Sequence, residues 1–346
     1  MLTESQKEII LTGMRPTGSL HLGHYVGTLE NWLKLQKKYD CYFLIADYQA
    51  LGDHVTEIEK IRYSVVNMVI DWLALGLDPK EAKFVIQSYI PEYAELTVLL
   101  SMIVPLSRVQ QNPTLKAEMA QIDKKDLSLG FFNYPVSQVA DILLQKANLV
   151  PVGEDQLPHI ELTRDVANKF NRLYGEIFPI PIALVGRVPR LVGIDGKTKM
   201  SKSLGNCIYL SDSREVVEEK VKKMYTDPKR KRITDPGHIE GNVVFTYLDV
   251  FYSDVEELQG LKFQYQNGKI GDVQTKKILA DSLNKFLDPI RERRKYYENH
   301  PEEIKSALTE GTLRAKKVAE KTIAEVKSVM NINKYENLLD NIRRDD

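Results

Sequence analysis

The sequence predicts an α/β fold in which a doubly wound parallel sheet is followed by an all-helical C-terminal region. Two observations predict it. Short apolar runs alternate with helical patterns in the first half of the chain, whereas helical stripes without strand signals follow after about residue 205. Strands that alternate with helices pair in parallel, and ligands bind at the carboxyl ends of such strands. A site is therefore expected at the turn that ends the first strand.

Three strands are predicted from short apolar runs. They are Glu8–Thr12 (EIILT), Cys41–Ala46 (CYFLIA) and Phe84–Gln87 (FVIQ). The turn residues Gly13, Pro16 and Gly18 end the first run. A helical segment fits between each pair of runs, which gives the βαβαβ order of a parallel sheet.

Two helices are predicted between these strands. The first carries a stripe with the spacing of one helix face, made of Tyr25, Leu29, Trp32, Leu33 and Gln36. The second is predicted to begin at a capping-box pair, Thr56 and Glu59, and to end near Gly76.

Two further stripes predict the helices of the C-terminal region. One contains Ile278, Leu279, Leu283, Phe286, Leu287 and Ile290, and the other Val318, Ile323, Val326 and Met330. Basic residues also cluster there, namely Lys220, Lys222, Lys223, Lys229, Arg230, Lys231, Arg232, Arg291, Arg293, Arg294 and Lys295. Such clusters form either a solvated helix face or a surface that contacts RNA, and the pattern leaves both open.

The composition excludes several classes of protein. The 346 residues are 43% hydrophobic and 28% charged, which favours a packed chain with room for two domains. Lys+Arg and Asp+Glu both number 48, so a generally basic nucleic-acid binder is excluded and DNA is not an expected partner. Cys41 and Cys207 stand too far apart to suggest a metal site or a disulfide framework. Without a membrane-length apolar run or a secretory leader, we expect a cytoplasmic protein with no membrane partner.

The first motif with residues suited to catalysis is GMRPTGSLHLGHYVG, residues 13–27. It places His21, Gly23 and His24 at the start of a helix behind the first strand. Free N–H groups and the positive dipole end of a helix suit a phosphate, and a glycine allows close approach. Two imidazoles can donate to phosphoryl oxygens as charge builds there. Alone, the short motif also fits histidines that merely stand at a helix end.

The second motif is GIDGKTKMSKSLGN, residues 193–206, with Lys197, Lys199 and Lys202 close together. Flanking glycines and the interspersed serines predict an exposed, mobile loop. Its ammonium groups can follow a charged leaving group as flexible point charges. A basic surface loop without function has the same composition, so this motif alone does not decide.

Together, HLGH and KMSKS on such a sheet resemble the two signature sequences of class I aminoacyl-tRNA synthetases. The resemblance implies catalytic roles for His21, His24, Lys199 and Lys202, with ATP as substrate and Mg²⁺ on its phosphates. It also implies an ATP site made of Arg15, Pro16, Thr17, Gly23, His24, Gly153, Glu154, Asp155, Leu191, Lys199, Met200, Ser201, Lys202 and Ser203. No metal site formed by protein ligands is implied.

The third motif, YPVSQVADILLQKANLVPVGEDQLPHIELTRDVANKFN, covers residues 134–171. Tyr134, Gln138 and Asp141 are spaced to share one face of an apolar helix, and Pro135 is expected in its first turn. A buried Asp needs a partner. The partner is either a ligand with an N–H or O–H group or a neighbouring core side chain, and the pattern alone leaves both open.

The stretch Val150–Asn171 is similar to the block that follows the substrate helix in bacterial tryptophanyl-tRNA synthetases. The likeness extends from about Ile10 to Asn206 and includes a less common variant with RPTG and YPVSQ. It implies that Asp141 accepts the indole N–H of L-tryptophan and that Tyr134 and Gln156 hold the α-amino group. The implied amino-acid site is Gly13, Tyr134, Gln138, Asp141 and Gln156.

The main alternative is a tyrosyl-tRNA synthetase, which shares the fold and the Tyr-x₃-Gln-x₂-Asp pattern. Leu11 argues against it, because tyrosine enzymes place there a Tyr that reads the substrate phenol. Arg15, His24 and Gln138 depart from the commonest tryptophan enzymes. Two more distant alternatives are a nucleotidyltransferase that does not use tRNA and a synthetase-like protein that has lost catalysis. The complete HLGH and KMSKS motifs count against both.

The resemblance also predicts domains and partners. Residues 1–205 are expected to form a Rossmann-type catalytic domain with a helical dimer and substrate insertion at about 95–175, and residues 206–346 a helical domain that binds the tRNA anticodon. The expected partners are tRNA(Trp), L-tryptophan and a second copy of the chain. The apolar run Leu96–Leu106 is longer than one surface helix normally exposes, which supports the homodimer.

Overall fold

The fold of the chain is given by a computed structural model. It describes residues 7–120, 122–123, 127–185, 191–202, 204–226, 230, 232 and 234–333. Lys229, Lys231 and Ser203, which the sequence analysis named, lie outside these ranges.

The described residues form a five-stranded, all-parallel sheet with the order β3-β2-β1-β4-β5. The strands are β1 (Ile9–Met14), β2 (Asp40–Ile45), β3 (Ala82–Ile86), β4 (Leu149–Val152) and β5 (Ile182–Val185). The predicted doubly wound sheet is therefore confirmed. The order reverses between β1 and β4, and the carboxyl ends of strands at such a reversal open a crevice.

Strands β4 and β5 escaped the sequence analysis. Each has only four residues, and Pro151 interrupts the strand pattern of β4. Proline cannot donate to a neighbouring strand. The register of β4 with β1 accordingly contains one pair, Ile10 with Leu149, whereas β4 pairs with β5 over its whole length.

Helices connect the strands and make up the C-terminal region. Their bounds are α1 (Leu22–His24), α2 (Glu30–Leu35), α3 (Asp47–His54), α4 (Ile58–Leu75), α5 (Glu92–Ser101), α6 (Leu106–Gln110), α7 (Pro113–Met119), α8 (Leu129–Leu144), α9 (Leu157–Tyr174), α10 (Arg214–Lys222), α11 (Val243–Phe251), α12 (Val255–Gln266), α13 (Asp272–Glu298) and α14 (Pro301–Val329). A wider π-helical segment, Tyr25–Leu29, joins α1 to α2, and 3₁₀ turns lie at Gln87–Tyr89 and Glu154–Gln156.

Two predicted helix details were wrong. Helix α4 ends at Gly76 as expected, but Glu57 precedes its first residue and makes no side-chain cap, so Thr56 and Glu59 form no capping box. Pro135 lies inside α8 and not in its first turn. The reason is Ser128, whose side chain accepts from the Phe131 N–H and starts the helix one and a half turns earlier.

Each face of the sheet has its own apolar core, as alternating side chains of the strands require. On one face Phe43 stacks on Trp32 with ring centroids 4.4 Å apart, and Trp72 meets both rings edge-on. On the other face Leu44 packs with residues of α5, α8 and α9. Burying each large apolar side chain contributes roughly 1.5–3 kcal/mol before entropy is counted.

The C-terminal helices belong to both cores. Ile304 and Ala307 of α14 join the first core, whereas Ala319 and Ile323 join the second. The helix crosses the β3 edge at Gly311, where a Cβ would stand 2.4 Å from the Phe84 carbonyl oxygen. Packing is therefore continuous across the predicted boundary at 205/206, and the division into two domains stays a prediction.

The arginines of α13 have intramolecular partners. Arg291 Nε donates to the Asp212 carbonyl at 2.7 Å, and Arg293 Nε donates to a carbonyl in α4. Arg294 forms a buried ion pair with Asp71 of α4. These three arginines fix α13 to the rest of the chain, an outcome that neither the solvated-face nor the RNA-contact interpretation anticipated.

Among the described residues, no helix combines the length and apolar character that crossing a membrane requires.

Candidate active site

A cavity of about 750 Å³ opens where the strand order reverses. Its walls come from the carboxyl ends of β1 and β4, from α3, α5, α7 and α8, and from the loops beside them. Among its lining residues are Leu11, Gly13, Arg15, Gln49, Glu118, Tyr134, Gln138, Asp141, Gly153 and Gln156. All five residues of the predicted amino-acid site therefore line one cavity, together with Arg15 and Gly153 of the predicted ATP site.

Asp141 is buried at the wall of this cavity and both of its oxygens accept hydrogen bonds. Gln49 Nε2 donates to Oδ2 at 2.5 Å, and Gln87 Nε2 donates to Oδ1 at 2.6 Å. Of the two possible partners predicted for Asp141, a ligand or a neighbouring core side chain, the structure therefore shows the second. The carboxylate nevertheless lines the cavity, and each oxygen can accept more than one hydrogen bond.

The orientation of the Gln87 amide is fixed by its other end. Its Oε1 accepts the backbone N–H of Tyr48 at 3.1 Å, so its N–H group must face Asp141. Burial raises the pKa of Asp141 from its ordinary 3.8 to about 8; the Gln87 hydrogen bond opposes this shift, and the nearby Asp47 carboxylate adds to it. Sequence analysis missed both glutamines, because they are distant in sequence and belong to no motif.

Tyr134 points its hydroxyl towards His159, with 3.2 Å between Oη and Nε2. His159 is buried, and burial lowers its pKa to about 4, so the imidazole is neutral near pH 7. The pKa of Tyr134 is raised, first by burial and then by its hydrogen bond to the Glu118 carboxylate. Neither His159 nor Glu118 was among the predicted site residues.

The Gly153–Gln156 segment forms the tight turn between β4 and α9. The backbone of Gly153 is extended, with φ −75° and ψ 162°. Gln156 Nε2 donates to Asp155 Oδ2 at 3.2 Å. Glu154 and Asp155 are exposed.

The two histidines of the first motif are adjacent, with ring centroids 3.7 Å apart. His24 Nδ1 accepts the backbone N–H of His21 at 3.1 Å, which leaves the proton of neutral His24 on Nε2. Burial, then Lys202 and Lys199, lower the pKa of His21 to about 4. Burial, His21 and the same lysines lower the pKa of His24 well below its usual value. Both imidazoles are therefore neutral donors near pH 7.

The second motif docks on the first. The Gly23 N–H donates to Met200 Sδ at 3.3 Å, and Lys202 Nζ donates to the Gly18 carbonyl at 2.8 Å. Met200 is buried, and burial lowers the pKa of Lys202 to about 8. The prediction of an exposed loop is therefore wrong for Met200 and Lys202, because their side chains pack on the helix start. Its mobility stays a prediction.

The buried side chain of Asn206 holds the lysine loop, the segment that carries Lys197, Lys199 and Lys202. Its Oδ1 accepts the Ser201 N–H at 2.8 Å, and its Nδ2 donates to Thr198 Oγ1 at 3.0 Å and to the Lys199 carbonyl at 3.2 Å. Leu191 accepts the Met200 N–H at 3.3 Å. Asn206 was part of the quoted motif but was given no role; its buried amide is visible only in the tertiary structure.

The structure thus brings the predicted residues together in two adjoining groups. His21, Gly23, His24, Leu191, Lys199, Met200, Ser201 and Lys202 surround the helix start, and the amino-acid residues line the cavity. The turn that holds Arg15, Pro16 and Thr17 joins the groups, and Arg15 Nη1 pairs with Asp53 Oδ2 at 2.9 Å. Ser203 lies outside the described residues.

A parallel sheet with a strand reversal thus carries paired histidines at a helix start, with Lys202 docked beside them. The family model for tRNA synthetases class I (W and Y) matches residues 3–288 of the chain. The chain therefore belongs to the class I aminoacyl-tRNA synthetases of this family.

The curated proteins similar to this chain include tryptophan–tRNA ligases. The chain is 48% identical over 338 residues to the tryptophan–tRNA ligase of Clostridium longisporum, which covers 96% of this chain and 99% of that protein. It is 49% identical over 342 residues to that of Streptococcus pyogenes, covering 95% and 99%. Tryptophanyl-tRNA synthetase from Campylobacter jejuni, solved with ADP and tryptophan, superposes with a TM-score of 0.85 at 31% identity and covers 93% of this chain and 99% of that one.

Proposed function

We propose that this chain is a tryptophan–tRNA ligase, which activates L-tryptophan with ATP and transfers it to tRNA(Trp). The observation that carries the proposal is the pairing of Leu11 and Asp141 in one cavity at the strand reversal, in a chain 48% identical to a tryptophan–tRNA ligase. Asp141 supplies an acceptor for the indole N–H. Leu11 supplies an apolar contact for the ring and no hydrogen-bond partner for a phenol.

In the first step the tryptophan carboxylate attacks the α-phosphorus of ATP, and the bond to the β-phosphate oxygen breaks. Tryptophanyl adenylate forms and pyrophosphate leaves. His21 and His24, as neutral donors, stabilise the negative charge that builds on the α-phosphoryl oxygens. Lys199 and Lys202 accompany the departing pyrophosphate, for which Lys202 must exchange its Gly18 contact. The protein contributes positioning and electrostatics, not covalent chemistry.

The remaining site residues hold the two substrates. Arg15, Pro16, Thr17 and Gly23 form the phosphate side of the ATP site, Gly153, Glu154 and Asp155 its ribose side, and Leu191, Met200, Ser201 and Ser203 its lysine-loop side. Tyr134, Gln138 and Gln156 hold the amino acid beside Gly13. Mg²⁺ would accompany ATP, with phosphate oxygens and water as its usual ligands, and would neutralise charge on the phosphates. The described residues contain no group of three metal-binding side chains that would hold it independently.

The adenylate then passes tryptophan to the terminal ribose of tRNA(Trp). We place the anticodon contacts on the helical region 206–346 and the enzyme in the cytoplasm. The chain acts as a homodimer through the 95–175 insertion, because α5 and the residues beside it expose Val98, Met102 and Leu106 to 55%, 75% and 63%.

ATP–pyrophosphate exchange tests the proposal. Exchange should be driven by L-tryptophan and not by L-tyrosine or L-phenylalanine. Exchange driven by tyrosine at comparable efficiency would assign the chain to the tyrosine branch of the family instead. In the same assay, Asp141→Ala should raise the tryptophan KM by about 5- to 150-fold, because the indole N–H would be left without an acceptor in a buried site. A folded variant with an unaltered KM would place indole recognition on another residue.

A further inference from the structure

The cavity contains few charged groups. Among its described lining residues, Arg15 is the basic side chain and Glu118 and Asp141 are the acidic ones. Arg15 is paired with Asp53, and Asp141 is held by two amides. Glu118, on α7, belongs to neither signature motif and is half-buried beside Tyr134. An amino-acid substrate brings an ammonium group into this space, which requires a countercharge once water is excluded.

A hydrogen-bond chain orients Tyr134 towards Glu118. Asn112 Oδ1 accepts the backbone N–H groups of Thr114 and Leu115 at 3.0 and 3.2 Å, so its amide nitrogen faces His159. That nitrogen donates to His159 Nδ1 across 3.4 Å. Neutral His159 therefore carries its proton on Nε2 and donates it to the Tyr134 oxygen.

The Tyr134 hydroxyl consequently keeps its own proton for Glu118. Its oxygen accepts from His159, so its O–H is available to Glu118, which lines the same cavity and raises the pKa of Tyr134. The Glu118 carboxylate and the Tyr134 hydroxyl therefore belong to the same part of the cavity wall. Tyr134, Gln138 and Gln156 can orient an ammonium group, but as neutral side chains they cannot balance its charge.

Helix α7 holds Glu118 at this position. Asn112 caps the helix and its amide nitrogen also approaches the Pro158 carbonyl at 3.5 Å. Thr114 Oγ1 donates to the Asp155 carbonyl at 2.8 Å. The helix is therefore tied to the turn and the helix start that carry Gln156, and its last turn presents Glu118 to the cavity.

We propose that Glu118 binds the α-ammonium group of the amino-acid substrate, with Tyr134 positioned between His159 and Glu118 to share it. This assignment rests on the proposed function and adds a charged ligand to its amino-acid site. It concerns the ammonium group, which every L-amino acid shares, and not the indole.

Three related ligands test the proposal by equilibrium binding. L-Tryptophan and tryptamine carry the ammonium group, whereas indole-3-propionate lacks it. Glu118→Gln should weaken binding of L-tryptophan and of tryptamine by about 10- to 100-fold and leave indole-3-propionate within about threefold or bind it more tightly. Glu118→Asp, which keeps the charge, should restore part of the loss. Glu161→Gln, at an exposed position of α9, is the matched control and should change none of the three affinities.

Two outcomes would overturn the proposal. The first is that Glu118→Gln binds L-tryptophan as the parent does, and the second is that it loses all three ligands equally, as general damage to the pocket would cause. Failure of the proposed function looks different, because the parent protein would then prefer another amino acid. If that amino acid were L-tyrosine, then tyrosine, tyramine and 3-(4-hydroxyphenyl)propionate would test Glu118 in the same way.

Discussion

At the scale of single residues, Asp141 meets two opposing demands. Its carboxylate needs hydrogen-bond donors because it is buried, and Gln49 and Gln87 supply them. It must also offer an acceptor to a substrate, so one of those contacts has to be shared or given up. Gln49 is half-buried and lines the cavity, whereas Gln87 is buried and fixed by Tyr48. We expect Gln49 to be the donor that yields.

The Asp141 carboxyl also predicts a pH dependence of stability without ligand. Its pKa in the folded protein, about 8, lies above the ordinary 3.8, so the folded state binds this proton more tightly than the unfolded state does. The contribution to stability is therefore complete below about pH 4 and is lost as the pH rises towards 8. Asp141→Asn removes this titration. Its melting temperature relative to the parent should rise between pH 5 and pH 8 and then level off.

Thermal unfolding of both proteins at pH 5, 7 and 9 measures this difference, and other titrating groups cancel in it. A difference that is constant across the range would mean that Asp141 is ionised in the folded protein throughout.

At the scale of elements, the lysine loop depends on the amide of Asn206 and not on its own backbone alone. Gly193 lies so close to this amide that a Cβ there would stand 2.1 Å from Asn206 Nδ2. The isolated bridge between Val192 and Lys199 closes the other side of the loop. These contacts hold the lysine loop in a conformation in which Lys202 reaches the turn before the histidine motif.

Asn206→Ala should remove the side-chain hydrogen bonds that hold the lysine loop. We expect adenylate formation to slow by about 10- to 100-fold, since several hydrogen bonds that position Lys199 and Ser201 are lost together. Tryptophan affinity should stay within about twofold, because the cavity lies on the other side of the turn. Trypsin should also cut the loop faster. Single-turnover kinetics, binding and limited proteolysis provide the measurements.

The matched control for this variant is Asn267→Ala, at the exposed end of α12. It should alter neither rate nor cleavage. Parental adenylate formation in Asn206→Ala would show that the lysine loop reaches its working geometry without this amide.

At the scale of the whole molecule, the C-terminal helices complete the catalytic fold. Helix α14 crosses the β3 edge and joins both cores, and Thr312 Oγ1 accepts the Ile86 N–H there at 3.2 Å. A helix that covers an edge strand prevents pairing with another sheet. Leu96 and Leu100 of α5 are buried in the core, whereas Val98, Met102 and Leu106 are exposed. These three exposed residues mark the surface on which we propose that two copies meet.

The prediction at this scale is that two copies of the chain associate in solution. Light scattering at micromolar concentration should give twice the mass of one chain, and Met102→Glu should shift the population towards the monomer, because a charge would be buried in an apolar contact. Val273→Glu, at a residue that is 86% exposed on α13, serves as control and should leave the mass unchanged. A monomeric parent protein would refute the dimer.

The sequence by itself determined the first three strands, the doubly wound parallel sheet and the two signature motifs. Strands, helix faces and motifs are patterns of neighbouring residues, which is why the sequence reveals them. It also named five of the residues that line the cavity, through a resemblance carried by local motifs. Periodicity missed β4 and β5, since four residues with a proline give too weak a signal.

Only the tertiary structure decided the partners of those residues. Gln49 and Gln87 reach Asp141 from 92 and 54 positions away, and Asp71 meets Arg294 across 223. The relation of Glu118 to Tyr134 and the docking of Met200 on Gly23 are equally distant from any local pattern. Burial and hydrogen bonding act between groups that are close in space, and the folded chain alone sets which groups those are.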